Sequence, residues 1–439
     1  MSDGVYEQRR ARVLEAMGPR GVAIFFSGGE SVRSRDTTYP YRASSDVLYL
    51  TGFEEPEAVV VLGACMEAGP LAMFVRPRDP EQEIWHGRRA GVEGARERFG
   101  ADAAFEIGSL AKELPRLLEE AEEIHYQLGQ PSDALVIGAV GGLRARRGKA
   151  PAGPTVWRDA RALVHPLRLI KRPEELSLLR AACALTAEAH LAAMKACRPG
   201  MHEYELQALI ECIFVKNGAL APAYGTIVGA GVNATILHYT ENRSAIGPED
   251  LVLIDAGAEL GYYAGDITRT FPASGRFSGV QRDVYQAVLE AEEAGIELCR
   301  VGSSWQSIHE ATVKSLTQSM VDLGLLNGQV DALIEDESYK KFYMHKTGHW
   351  LGMDVHDVGP YYEGQQASSL QVGVVQTIEP GIYIQHGAEG VDERFWGIGV
   401  RIEDDVLTTA DGPEVLTSGV PKSVEAIEAL VGSGYQLSF

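Results

Sequence analysis

Four segments of this chain carry the side chains that metal-assisted or acid–base chemistry needs. In residues 251–271, two β-like runs flank a turn near Leu260-Gly261, and each run holds an aspartate, Asp255 and Asp266. With that turn at the centre of a hairpin, the two aspartates oppose each other on one face, their Cβ atoms about 4.5–5.5 Å apart. Like charges so placed are destabilising, so the pair asks for a cation unless one member caps backbone or turns to water. Residues 345–356 hold three histidines, His345, His349 and His356, and Gly348 and Gly352 argue there for a loop over a single helix. Glu379 ends an apolar run against Pro380, a residue that stops strands. In residues 397–403, alternation puts Arg401 and Glu403 on one face and Val400 and Ile402 on the other, which is also the pattern of a plain cross-strand salt bridge.

Together Asp255, Asp266, Glu379 and Glu403 offer four negative charges, and His349 adds a neutral nitrogen. Two divalent cations balance that charge. Oxygen-rich ligation with one imidazole suits Mn2+, Mg2+, Co2+ or Fe2+ better than the Cys/His set of structural zinc, and no cysteine lies in these segments. Paired ions about 3.5–4 Å apart generate hydroxide near neutral pH and polarise a carbonyl, the apparatus of hydrolysis. A competing motif, GxGxxA over residues 229–234 with Asp250 beyond it, imitates a dinucleotide fingerprint. Residues 235–239 read as β, so no helix N-terminus meets a pyrophosphate and a nucleotide site is disfavoured.

The elements that must position these residues fall into two groups, giving an α+β protein. Up to about residue 170, β-rich runs (21–27, 47–51, 58–64, 71–75, 134–137) alternate with helical stretches near 5–17, 90–98 and 110–123, which predicts an α/β domain. The basic, Pro/Gly-rich segment from Arg144 to Pro154 reads as an exposed loop. Pro173 opens a helix running to about Cys197. A second places Leu206, Leu209, Ile210, Ile213 and Phe214 on one face and ends at Asn217-Gly218, and a third follows Ser278 over about 279–299. The boundary near 168–172 predicts domains at 1–170 and 171–439.

With 439 residues, 45% hydrophobic and 23% charged, the chain has an ordinary globular composition. Its net charge of −21 argues against nucleic acid and membrane surfaces as partners. Five widely spaced cysteines without a CxxC pair, an N-terminus unlike a signal peptide and no run of about 18 apolar residues predict a soluble, cytoplasmic protein.

The ordered contexts DAGAELGYYAGDITRTFP, HWLGMDVHDVG, TIEPGIY and GVRIEDD resemble the pita-bread metallopeptidases, and within them the Xaa-Pro aminopeptidases (aminopeptidase P). The strings YPYRASSD, TGFEEP and EIWHGRR extend the resemblance into an N-terminal domain of that family's type, so it spans nearly the whole chain. It implies an N-terminal α/β domain, a C-terminal pita-bread catalytic domain, and hydrolysis of the bond between an N-terminal residue and a following proline by a metal-bridged hydroxide.

The resemblance also implies roles. Asp255 chelates one metal, Asp266 and Glu403 bridge both, and His349 and Glu379 complete the other. Glu379 passes a proton toward the leaving proline nitrogen, His356 stabilises the tetrahedral intermediate, and His238 hydrogen-bonds substrate near the scissile bond. His345 and Tyr383 line the proline pocket, and Arg401 holds the ligand carboxylates. Tyr224 and Trp85 are aromatic candidates for shaping the site, with packing in a core as the plainer reading of both. The resemblance further implies manganese, with cobalt or iron as alternatives, and a homodimer or homotetramer. The rivals are an Xaa-Pro dipeptidase (prolidase), which shares all five ligands, and a non-catalytic pita-bread binding protein.

Overall fold

The computed structural model describes residues 3–145 and 153–437, and the chain divides into two compact units, Met1–Arg168 and Leu169–Phe439. Of the basic segment from Arg144 to Pro154, residues 146–152 lie outside the described residues. The first unit is built on a six-stranded sheet in the order Ala103–Glu106, Leu71–Val75, Val59–Leu62, Gly21–Phe26, Glu123–His125, Val156–Arg158, with parallel and antiparallel pairs mixed. Alternate residues, Val22 and Ile24, Val59 and Val61, Ala72 and Phe74, pack with Leu114 and Leu117 of helix Leu110–Leu117 and with Val136 and Val140 of helix Asp133–Arg144.

Two expected strands here are helices. Residues 47–51 lie in helix Ser45–Thr51, where the Ser44 hydroxyl accepts the Val47 N–H and Gly52 closes the other end left-handed, at φ 67°. Residues 134–137 belong to helix Asp133–Arg144. Apolar runs of four or five residues fit a buried helical turn as well as a strand, and both runs follow a Ser or Asp that starts helices.

In the second unit, helices Pro173–Ala196, Glu203–Lys216, Gly279–Glu297 and Trp305–Asp322 surround antiparallel sheets. Pro173 opens the first helix, and Ser278 caps the third in a reciprocal box with Gln281. Leu206, Ile210, Ile213 and Phe214 share one core with Val252, Ile254 and Phe271 and with Val284 and Val288. One sheet runs Ile227–Ala230, Leu251–Ala256, Ile267–Pro272; another runs Val375–Ile378, Asp404–Thr409, Gly412–Val415; a two-stranded ladder joins Gly381–Ile384 to Ile398–Arg401. Single bridges, Thr268 to Glu403 and Trp350 to Gln376, stitch these pieces together. Among the described residues no helix is long and apolar enough to cross a membrane.

The hairpin register differs from expectation. The turn sits at Gly261-Tyr262, both left-handed with φ of 59° and 67°, as a two-residue primed turn requires. Asp255 therefore pairs with Thr268, not with Asp266. The segment after Ala230 also differs, since residues 231–235 form a short 3-10 helix and 236–238 a turn, not a strand.

Candidate metal and substrate site

A cavity of about 550 Å³ opens in the second unit, and all five expected ligands line it. Asp255 sits near the end of strand Leu251–Ala256, Asp266 just before Ile267–Pro272, Glu379 just after Val375–Ile378, and Glu403 between Ile398–Arg401 and Asp404–Thr409. His349 comes from a loop pressed against the Val375–Ile378 strand: its N–H donates to Thr377 Oγ1 (3.1 Å) and its carbonyl accepts the Thr377 N–H (2.9 Å). Gly348 permits that approach, because a Cβ there would stand 1.9 Å from the Thr377 carbonyl oxygen.

One oxygen each of Asp266 and Glu403 and one ring nitrogen of His349 lie within 4.8 Å of one another. His349 Nε2 is 3.5 Å from Asp266 Oδ2 and 3.6 Å from Glu379 Oε1, while Nδ1 meets the Trp350 carbonyl at 3.0 Å. That contact assigns the N–H to Nδ1 in the neutral ring and leaves Nε2 facing the carboxylates. Although they do not pair across the ladder, Asp255 and Asp266 converge on Tyr224, whose hydroxyl is 2.6 Å from Asp255 Oδ1 and also hydrogen-bonds Asp266 Oδ1. Arg401 Nη2 donates to Asp255 Oδ2 at 2.6 Å and its Nε to Thr268 Oγ1 at 3.1 Å. Thr268 Oγ1 in turn donates to Glu403 Oε2 at 2.6 Å.

The electrostatics are those of a site short of positive charge. Burial, then the neighbouring aspartates, pushes the Glu403 carboxyl well above its usual range, and burial also raises Asp266. Burial raises Glu379 to about 7 against the pull of His349 and Arg401. Burial works against protonation of His349, yet the Asp266 and Glu379 carboxylates outweigh it and raise the ring to about 9. Metal-free, such acids hold protons where divalent cations would sit, and oxygen donors with one imidazole fit Mn2+, Fe2+ or Co2+.

Around this cluster, His238 and His356 are exposed on the cavity wall, and the His356 ring stands edge-on to His349 at 4.3 Å. His345 also lines the cavity; burial and the nearby Arg401 charge lower it to about 3, so it is neutral. Tyr383 does not line the cavity. It is fully buried, takes a hydrogen bond from Arg401 Nη1 (3.1 Å) and reaches His345 Nε2 (2.9 Å), which makes it a brace between the two. Trp85 packs in no core: it is 80% exposed on helix Pro80–His86 of the first unit.

Several residues behind the site were not singled out from sequence. Asp405 accepts the Asp266 N–H (2.9 Å) and the Cys183 thiol (3.2 Å). The buried Arg269 donates from Nη1 to the Glu403 carbonyl (2.6 Å) and from Nη2 to Asp404 Oδ1 (2.7 Å), and Lys422 ties Asp404 (2.7 Å) to Glu292 (2.8 Å). An available signal was charge inside a buried β run: Arg269 stands in the middle of Ile267–Pro272, every residue of which is buried.

Residues 177–410 match metallopeptidase family M24, and residues 6–125 match the aminopeptidase P N-terminal domain. The chain belongs to metallopeptidase family M24, with an N-terminal domain of the aminopeptidase P type before a catalytic domain of mixed helices and sheets. It is 45% identical over 430 residues to the Xaa-Pro aminopeptidase of Escherichia coli, covering 97% of each chain, and 43% identical to that of Haemophilus influenzae, covering 97% of this chain and 96% of that one. The structure of Pseudomonas aeruginosa aminopeptidase PepP superposes with a TM-score of 0.95 at 47% identity over 98% of both chains. Escherichia coli aminopeptidase P in complex with substrate superposes at 0.94 with 44% identity, again over 98% of both.

Proposed function

We propose that this chain is an Xaa-Pro aminopeptidase that releases the N-terminal residue from peptides with proline second, using two divalent cations, preferentially Mn2+, held by Asp255, Asp266, His349, Glu379 and Glu403. The observation that carries this reading is the convergence of those five side chains in one cavity, with three ligand atoms mutually within 4.8 Å and acids that hold protons for want of a cation. Bound there, the cations supply Lewis acidity toward a carbonyl and lower the pKa of water. Glu379, with Oε1 3.6 Å from His349 and Oε2 3.9 Å from His345, is placed to take a proton and hand it to the departing proline nitrogen. His238 and His356 present ring N–H groups to the cavity, His356 as donor to the developing oxyanion and His238 to the substrate near the scissile bond. The Arg401–Tyr383–His345 chain fixes Asp255 on one side and the neutral His345 ring on the other, so His345 borders the proline ring without requiring an amide N–H, which an Xaa-Pro bond lacks.

On this reading residues 1–170 are an accessory domain and 171–439 the catalytic one. Two neighbouring exposed apolar residues on helix Pro80–His86, Ile84 at 81% and Trp85 at 80%, support assembly into a homodimer or homotetramer. Five free cysteines support a reducing, cytoplasmic setting. The test is to give the Mn2+-loaded protein Ala-Pro and Ala-Pro-Ala. Release of alanine from the tripeptide supports the proposal; cleavage of the dipeptide alone makes it a prolidase, and cleavage of neither leaves the non-catalytic reading.

A further inference from the structure

The metal-site cavity carries one cation that the chemistry above does not employ. Lys346, exposed on the loop between His345 and Gly348, lines the same wall as His345, Gly348 and Tyr361. Its Nζ lies 5.6 Å from the centre of the Trp305 ring. Trp305 is itself anchored: its indole N–H donates to the Gly348 carbonyl at 3.1 Å, and its ring meets Tyr361 edge-on at 5.1 Å, while Tyr361 stacks on Trp350 at 4.8 Å. An indole face holds an ammonium in place without neutralising it. Arg401, the other permanent cation on the wall, is buried and bound to Asp255, whereas Lys346 forms no ion pair among the described residues.

The charge stands out against its surroundings. Four acids line the cavity and the whole chain carries −21, so an anionic peptide is repelled at long range, and two divalent ions would cancel only the four site acids. A positive charge beside His345 restores local attraction for an anion on the substrate, and His345 borders the proline ring on the reading above. The group Lys346 meets is therefore on the C-terminal side of the proline.

We infer that Lys346, seated over Trp305, forms a subsite for a carboxylate on the C-terminal side of the substrate's proline. The carboxylate has two sources, the free terminus of a short peptide or the side chain of an acidic residue after proline. The inference rests on the Xaa-Pro aminopeptidase reading and adds a substrate preference to it. A charge pair several ångströms apart in a partly solvated cavity is worth about three- to tenfold in kcat/KM and weakens with salt.

The experiment measures kcat/KM of the Mn2+-loaded full chain and its Lys346→Arg, Lys346→Gln and Lys346→Glu variants on two peptide pairs. Ala-Pro-Ala against its C-terminal amide reads the free terminus; Ala-Pro-Glu-amide against Ala-Pro-Gln-amide reads the side chain. Each charged-to-neutral ratio is internal to one variant, so overall rate changes cancel. At least one ratio is expected near three to ten in the wild type and in Lys346→Arg, about one in Lys346→Gln, and below one in Lys346→Glu. Ratios that are the same in the wild type and in Lys346→Glu for both pairs overturn the subsite alone. Failure of the metal-loaded wild type to cleave any of the four peptides overturns the subsite together with the aminopeptidase reading.

Discussion

Tyr224→Phe isolates what holds two like-charged ligands together. The Tyr224 hydroxyl reaches Asp255 Oδ1 at 2.6 Å and Asp266 Oδ1 as well, so it pins both carboxylates in the orientation a cation would use. Without it, the aspartates relieve their repulsion by turning apart or by holding a proton, and either change must be reversed when metal binds. A hydrogen bond to a charged group is worth about 1.5–3 kcal/mol. Asp255 keeps its 2.6 Å bond from Arg401, which sets the loss at the lower end, about 1.5 kcal/mol, or roughly tenfold in affinity. The phenyl ring occupies the same space, so the fold is retained. Competition for Mn2+ against a fluorescent chelator reads the affinity, and circular dichroism checks the fold. Affinity within about twofold of wild type, in a folded variant, would refute the idea that this hydroxyl preorganises the ligands.

Chelation should lower the melting temperature of the catalytic unit. An ion present at a hundred times its Kd contributes about 2.7 kcal/mol, so removal is expected to cost about 5–10 °C by calorimetry, and an unmoved transition would argue against a structural metal contribution. Metal loading should release protons. Because His349 is raised to about 9 in the metal-free site, it carries a proton at pH 7 that the metal must displace, so apparent affinity rises from pH 7 toward 9 by up to about tenfold per unit for each proton displaced. Calorimetric titration in buffers of different ionisation enthalpy tests this, and pH-independent affinity would refute it. Gly348→Ala should push the His349 loop off its strand, since the new Cβ would meet the Thr377 carbonyl at 1.9 Å; metal affinity should fall by at least about tenfold in a protein that still folds, and wild-type affinity would show that the loop gives way freely.

The ligands were legible because each interrupts an apolar β run or a Gly-marked loop with a charged or imidazole side chain, and such interruptions are visible without a structure. The hairpin register was not, because register depends on which residues accept left-handed φ. Tyr262 does so here and lies one position beyond the expected centre. Tyr224 looked like packing because nothing local links residue 224 to residues 255 and 266, and only the folded sheet brings the hydroxyl to both aspartates. Thr268, Arg269 and Asp405 escaped for the same reason: their partners lie more than a hundred residues away along the chain. Residues 47–51 and 134–137 were misassigned because short apolar runs carry no usable periodicity, while the capping residues Ser44 and Asp133 held the helix signal.

The central claim is that five side chains of the second unit hold two divalent ions. Anomalous diffraction at the manganese edge from Mn2+-soaked crystals tests it directly. The account predicts two peaks, both enclosed by Asp255, Asp266, His349, Glu379 and Glu403. A fully loaded, active protein with its manganese anywhere else, or with a single ion among those five residues, would contradict it.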